Sequence, residues 1–279
     1  MAHYRTILVH LPDAERARRV LSAAVPLALK HDAHLIGLYV MPSMVISPAF
    51  GYAEGIIAAG RKTFHKQAEA IEAIFEKSAT GLQLKKDWRF VEPRGLSAVE
   101  ALLAQCRAAD LVMVSQRNSA WDDTLMLEFP EDVVMSSGRP TIVVPNAGDL
   151  LPIGRRITIA WNDSREAARA AFDAMPLLQG ADSVRIVWVN PEDESLSPGD
   201  LPTAEIAATL ARHGVKCTSA EVRGSDISAG VELLRQVAKD QSDLLVMGAY
   251  GRSKLREFIF GGATRSTFSD MRVPVLYAH

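Results

Sequence analysis

The chain has 279 residues, 48% of them hydrophobic and 23% charged, with a formal net charge of −2 and a pI near 6.4. That length supports two domains with separate cores, and the balance is that of a soluble globular protein. It excludes a dedicated nucleic-acid binder, whose phosphate contacts need clustered Lys and Arg, and no apolar run approaches the roughly 20 residues that span a bilayer.

In chain order, strands are expected at Arg5–His10, His34–Val40, Asp87–Glu92, Leu111–Ser115 and Thr141–Val144, with helical patterns between them. A strand beginning at Arg5 leaves no room for a signal peptide ahead of it. The apolar segment Met41–Tyr52 precedes a helix expected at Glu54–Lys77. Long loops are uncommon unless functional, and Met-rich apolar surface adapts to partners. The segment is therefore a candidate lid, subunit contact or small-molecule site; the alternative is that it packs on its own domain. A turn-rich junction, Pro145–Pro152, follows the fifth strand. Beyond it, strands are expected at Arg156–Trp161, Val184–Asn190, Lys216–Val222, Asp243–Met247 and Pro274–Ala278. Helices are expected at Ser164–Leu178, Leu201–His213, Ile227–Lys239 and Thr264–Asp270, with Ser164 as an N-cap.

The two series are a duplication. Residues 7–40 align without gaps on residues 157–190, matching Ile7 with Ile157, Asp13 with Asp163, and Ala24-x-Pro26-Leu27 with Ala174-x-Pro176-Leu177. At the other end, Asp110–Val114 resembles Asp243–Met247, and Arg139–Val143 resembles Val273–Tyr277. The first half carries extra residues around Pro42–Gly60. Short apolar strands without polar alternation are those of parallel sheets covered on both faces, so each half is expected to be a doubly wound open α/β sheet. The domains are placed at residues 1–147 and 153–279. Cys106 and Cys217 fall in different halves, which fits a reducing compartment and a cytoplasmic protein.

One segment points to a ligand. After the strand ending at Met247 come Gly248 and Gly251, then Gly261-Gly262-Ala263-Thr264 at the start of another helix. Glycines allow close backbone approach, and N–H groups at a helix start suit phosphate. The competing reading is that these glycines only permit tight turns and helix-on-sheet packing.

With these features in place, the chain resembles the universal stress protein family, as two tandem copies. Members that bind ATP carry G-x2-G-x9-G followed by Ser or Thr, and Gly248, Gly251 and Gly261 stand at that spacing; Val273-Pro274-Val275-Leu276 is similar to the family's last strand. The resemblance implies a Rossmann-like fold, similar to the adenine nucleotide alpha hydrolases, with strand order 3-2-1-4-5 in each half. It also implies a nucleotide outside the carboxyl ends of the strands at the switch point. Carried over by position, Asn162 and Val189 lie near adenine and ribose, and Met247 and Gly248 lie beneath the ribose. Gly251, Gly261, Gly262, Ala263 and Thr264 line the phosphate path. Two departures stand out. Asn162 replaces the family's usual Asp and supplies no charge. Gly262 follows Gly261 where Ser or Thr is usual, and a lost hydrogen bond of that kind is worth about 0.5–1.5 kcal/mol, or up to about 3 to a charged group.

The first half has lost these features. Ser115-Gln116-Arg117-Asn118 stands in place of Gly248–Gly251, and Phe129-Pro130-Glu131-Asp132 in place of Gly262–Arg265. Pro130 removes a donor and two carboxylates repel phosphate, so no nucleotide is expected there. The strand-1 position is Leu11 or Pro12. Basic residues Arg252, Lys254, Arg256 and Arg265 surround the second-half loop, as phosphate partners or as ordinary surface. The seven histidines form no ligand cluster; His31 and His34 straddle a helix end and a strand start, and His10 ends strand 1. No Ser/His/Asp or Cys/His constellation is visible, and no metal site is expected.

The expected function is adenine-nucleotide binding (ATP or an AMP-like nucleotide, with Mg²⁺ if ATP) in the second domain, regulatory in a stress response. Hydrolysis is slow at most, because Asp163 is the sole carboxylate candidate for base or metal. The alternative is a scaffold or interaction protein of the same fold that binds no nucleotide, with a partner or small-molecule site at residues 41–60. Neither nucleic acid nor membrane is an expected partner. A homodimer is kept as a candidate assembly.

Overall fold

The computed structural model describes residues 3–42, 53–94, 96–117, 130–148, 152–189, 202–222, 227–249 and 262–279. It divides into two compact units, Tyr4–Arg139, and Pro140–His279 with Met1–His3.

The first unit runs β1 (Thr6–His10), α1 (Ala14–His31), β2 (His34–Val40), α2 (Ala53–Ser78), β3 (Lys86–Val91), α3 (Ala98–Cys106), β4 (Leu111–Ser115) and α4 (Pro130–Ser136). Its strands lie in the order β3-β2-β1-β4, all parallel. The second unit runs β5 (Thr141–Val144), β6 (Arg156–Ala160), α5 (Arg165–Asp173), α6 (Met175–Leu178), β7 (Ser183–Val189), α7 (Pro202–Arg212), β8 (Cys217–Val222), α8 (Ala229–Lys239), β9 (Leu244–Gly248), α9 (Gly262–Asp270) and β10 (Val275–Ala278). Here β10-β9-β6-β7-β8 are parallel, the expected 3-2-1-4-5 order read from the other edge. The fifth strand of the first repeat, β5, belongs to this second unit and pairs antiparallel with β10, Leu276 opposite Ile142.

The apolar runs read as strands are strands, and those inside each sheet are buried along their length, as in β4 and β9. The strands at the ends of these orders, β3 and β8, are half-exposed and carry polar residues such as Lys86, Asp87 and Glu221. Helix starts follow the capping chemistry of the sequence. The Asp13 carboxylate accepts from the N–H groups of Glu15 and Arg16 at 2.9 Å, Ser97 and Glu100 form a reciprocal capping box, and Ser164 accepts from Ala167 N–H at 3.1 Å. The helix expected at 164–178 is split in two, with α5 ending at Asp173 and α6 starting at Met175. Pro176 contributes no N–H, so one hydrogen bond that would carry the helix across this point is missing. The matching Pro26 is accommodated inside an unbroken α1. The segment 43–52 of the apolar insertion lies outside the described residues; Met41 and Pro42 ahead of it are buried.

Each repeat holds the foot of its first strand with a carboxylate from the start of its fourth. Asp110 accepts from the N–H groups of Arg5 and Thr6 at 2.8 and 2.9 Å. Asp243, buried, accepts from Gly154 at 2.7 Å, from Arg155 at 3.1 Å and from Arg156 at 2.9 Å. Removing a buried acceptor strands its donors. Asp243→Ala is therefore expected to destabilise the protein by about 3 kcal/mol and Asp110→Ala, at an exposed position, by about 1 kcal/mol, read from urea-unfolding midpoints.

Candidate functional site

The carboxyl ends of β6, β7 and β9 bring together those carried-over residues that are described. Asn162 lies just past β6, Val189 ends β7, and Met247 and Gly248 end β9; Gly262, Ala263 and Thr264 open α9. Gly251 and Gly261 lie outside the described residues, as do Arg252, Lys254, Arg256 and the last residue of the expected strand, Asn190.

The turn from β6 into α5 is built on side-chain hydrogen bonds. Trp161 N–H donates to the Val187 carbonyl at 2.9 Å, extending the β6–β7 ladder by one residue. Asp163 adopts a left-handed backbone conformation, φ 55°, and is exposed. The Ser164 hydroxyl caps α5 and donates to Asn162 Oδ1 at 2.7 Å. That oxygen is thus engaged locally, which orients the Asn162 amide.

At the end of β9 successive side chains face opposite sides, as the pleat requires. Met247 is buried toward α9: the Tyr277 hydroxyl donates to Thr267 Oγ1 at 2.9 Å, the Thr267 hydroxyl donates to the Thr264 carbonyl at 2.8 Å, and the Met247 sulfur lies 3.5 Å from it. Phe268 stacks on Tyr277 with ring centroids 4.5 Å apart. These contacts seat α9 and bury Thr264. Gly248 faces α5. A Cβ there would stand 2.4 Å from the Glu166 carbonyl carbon and 2.5 Å from Ala167 N, so this glycine serves close helix-on-strand packing whatever else it does.

The sequence pattern singles out neither of two groups beside the site. Glu166, in the first turn of α5, is buried. Burial opposes its ionisation, but its own backbone N–H, the Arg165 guanidinium and His279 outweigh that and hold the carboxyl below its ordinary range. His279 Nδ1 is 3.1 Å from the Ala249 carbonyl. The other group is the Trp161 indole: it is buried, and its N–H has no acceptor among the described residues. An aromatic residue with a polar tip directly after a strand-1 end is the one feature by which it could have been noticed.

The first repeat has different chemistry at the same place. Asp13 caps α1 and also accepts from Arg16 Nε. Beside them His10 is buried and pushed down to about 4, chiefly by burial, then by the Arg16 charge, with Asp13 opposing. Ser115 and Gln116 are buried at the end of β4. Pro130 opens α4 with Glu131 and the exposed Asp132 in its first turn. Tyr39, sealed at the end of β2 and stacked on Phe90 at 5.8 Å, has its phenol pushed well above the ordinary value by burial. His31 is buried against the Tyr4 ring, while His34 pairs with Asp87 at 3.0 Å. Among the described residues no group of three His, Cys, Asp or Glu could hold a metal ion, and no helix is long and apolar enough to cross a membrane. A cleft of about 330 Å³ lined by Pro152, Arg155, Arg156, Asp182, Ser183 and Asp243 lies at the opposite, amino ends of the second-unit strands; its Asp243 is committed to backbone N–H groups.

The model of the Universal stress protein family matches residues 3–145 and again 154–279. The chain belongs to the universal stress protein family. No curated protein matches it. Among solved structures, a universal stress protein from Archaeoglobus fulgidus is similar over 98% of this chain and 95% of its own, with TM-score 0.70 and 16% identity. A putative universal stress protein from Pseudomonas aeruginosa is similar over 99% and 93%, with TM-score 0.54 and 15% identity. At such identities the likeness speaks for the fold, over essentially the whole tandem.

Two outcomes are expected. Gly248→Ala should lower stability by about 1–3 kcal/mol by forcing α5 off β9, seen as a lower thermal midpoint. For His10, the folded value near 4 lies below the unfolded 6.5, so its contribution is fully present above the unfolded value and is lost as pH falls toward 4. The loss is up to about 3 kcal/mol. A His10→Asn protein should show a flatter dependence of its urea midpoint on pH across that window than the wild type.

Proposed function

We propose that the second repeat binds an adenine nucleotide at the carboxyl ends of β6, β7 and β9, and that the protein regulates a stress response in the cytoplasm rather than catalysing a reaction. The observation that carries this reading is the course of the chain after β9. β9 ends at Gly248 and the nine-residue α9 opens at Gly262-Ala263-Thr264, and the sequence between them has the family's glycine spacing. Glycine and alanine at a helix start leave the N–H groups open to phosphate, where the helix dipole favours negative charge. Asn162 and Val189 stand on the adjacent strand ends, and half-buried Gly248 adjoins them. Thr264, buried at the start of α9, supports the loop's landing point more than it offers a hydroxyl.

The residues present fit a nucleotide better than they fit a reaction on it. Asp163 is exposed and Glu166 is committed to Arg165 and its own backbone. If the ligand is ATP, Mg²⁺ accompanies it. Hydrolysis is expected to be slow.

The second reading, a scaffold of the same fold without nucleotide, draws on Gly248 packing against α5 and on the engaged Asn162 Oδ1. Calorimetry with ATP, ADP and AMP, together with chromatography of whatever the heat-denatured native protein releases, separates the two. The expected result is one adenine nucleotide per chain, lost in the Gly251→Val, Gly261→Val double variant. No heat of binding and no released nucleotide would leave the scaffold reading.

A further inference from the structure

We propose that the indole N–H of Trp161 is a hydrogen-bond donor to the purine ring of the bound nucleotide, making Trp161 a base-positioning residue. This rests on the nucleotide reading of the second repeat.

Trp161 is the first residue past β6, the central strand between β7 and β9. Its backbone is fixed by the bond to Val187. The register pairs Ala160 with Met247, so Trp161 stands level with Gly248, where the glycine loop begins, and directly precedes Asn162. The side chain is 7% exposed, and Nε1 has no acceptor among the described residues. An indole N–H donates and cannot accept, and when buried it usually finds a partner. The nearest side-chain acceptor in sequence, Asn162 Oδ1, is taken by the Ser164 hydroxyl. A purine supplies what is missing, since adenine presents ring nitrogens that accept and carry no hydrogen.

The repeat provides a control within the chain. The residue matching Trp161 is Leu11, fully buried and without a polar atom. The donor therefore occurs in the repeat that keeps the glycine loop and is absent from the repeat that lost it. If the position only filled space, an apolar side chain would serve there as Leu11 does.

The test is calorimetry on the full chain with ATP and its 1-deaza, 3-deaza and 7-deaza analogues, using the wild type and Trp161→Phe. Losing the donor is expected to weaken ATP about three- to tenfold. One analogue should show the same loss on the wild type and no further loss on Trp161→Phe. The thermal midpoint of the unliganded variant should be unchanged or raised, because a buried donor without an acceptor has been removed; a merely structural Trp161 would lower it and leave the analogues undistinguished. Equal affinity of wild type and variant for ATP, or deaza analogues that all bind the wild type as tightly as ATP, overturns the donor role and leaves the nucleotide reading standing. A wild type that binds no ATP overturns both. Should the variant fail to fold, the analogue series on the wild type decides.

Discussion

A carboxylate at the foot of the fourth strand fixes the first strand of each repeat, and the top of the sheet depends on it. Asp243 draws three consecutive N–H groups onto one side chain before β6 begins. Parallel strands with no hairpin between them have no turn to set their register, so something else must set it. With Ile157 held opposite Leu244, every later residue of the two strands is placed. Ala160 reaches Met247, and the first residues beyond the sheet meet the start of the glycine loop. Asp110 does the same for β1 and β4, with two N–H groups and more solvent. An ion of one sign at the amino ends thus sets the geometry of the carboxyl ends, some five residues away.

Much of this architecture was legible in the sequence because it rests on local, repeated signals. Unbroken apolar runs such as Leu111–Val114 and Leu244–Met247 can be little else than buried parallel strands, and the duplication tied each weak run to a second copy. Ser164 was readable as a cap because a hydroxyl before Arg-Glu-Ala-Ala has an obvious use. What escaped notice depends on contacts between segments distant in the chain. The repeat alignment matched Asp110 with Asp243, but nothing local says that each carboxylate reaches back to its first strand. Glu166 looks like an ordinary first-turn acid until Gly248 is seen pressed against its backbone. The division of the long second-repeat helix at Ala174 was hidden by its twin, since Pro26 lies in an unbroken helix.

The divergence of the two repeats can be followed through one turn. In the first, Asp13 caps α1 itself and binds Arg16, so its carboxylate is spent on the helix. In the second, Asp163 swings into a left-handed conformation and the cap passes to Ser164, one residue later in the aligned repeat. The helix start one position later leaves Asp163, like Asn162, in the turn rather than at the cap. One repeat therefore uses its acidic residue to build a buried charged cluster around a neutral His10, and the other keeps a polar turn facing the end of β9. Loss of glycines and loss of the open turn go together.

The pairing of β5 with β10 has a consequence in time. Thr141–Val144 must wait for Val275–Tyr277, so a chain emerging from the ribosome completes the first repeat well before the antiparallel partner of its last strand exists. Contacts of such long sequence separation close slowly, and an uncovered edge on a largely apolar strand is prone to association while it waits. The whole second repeat is made during that interval.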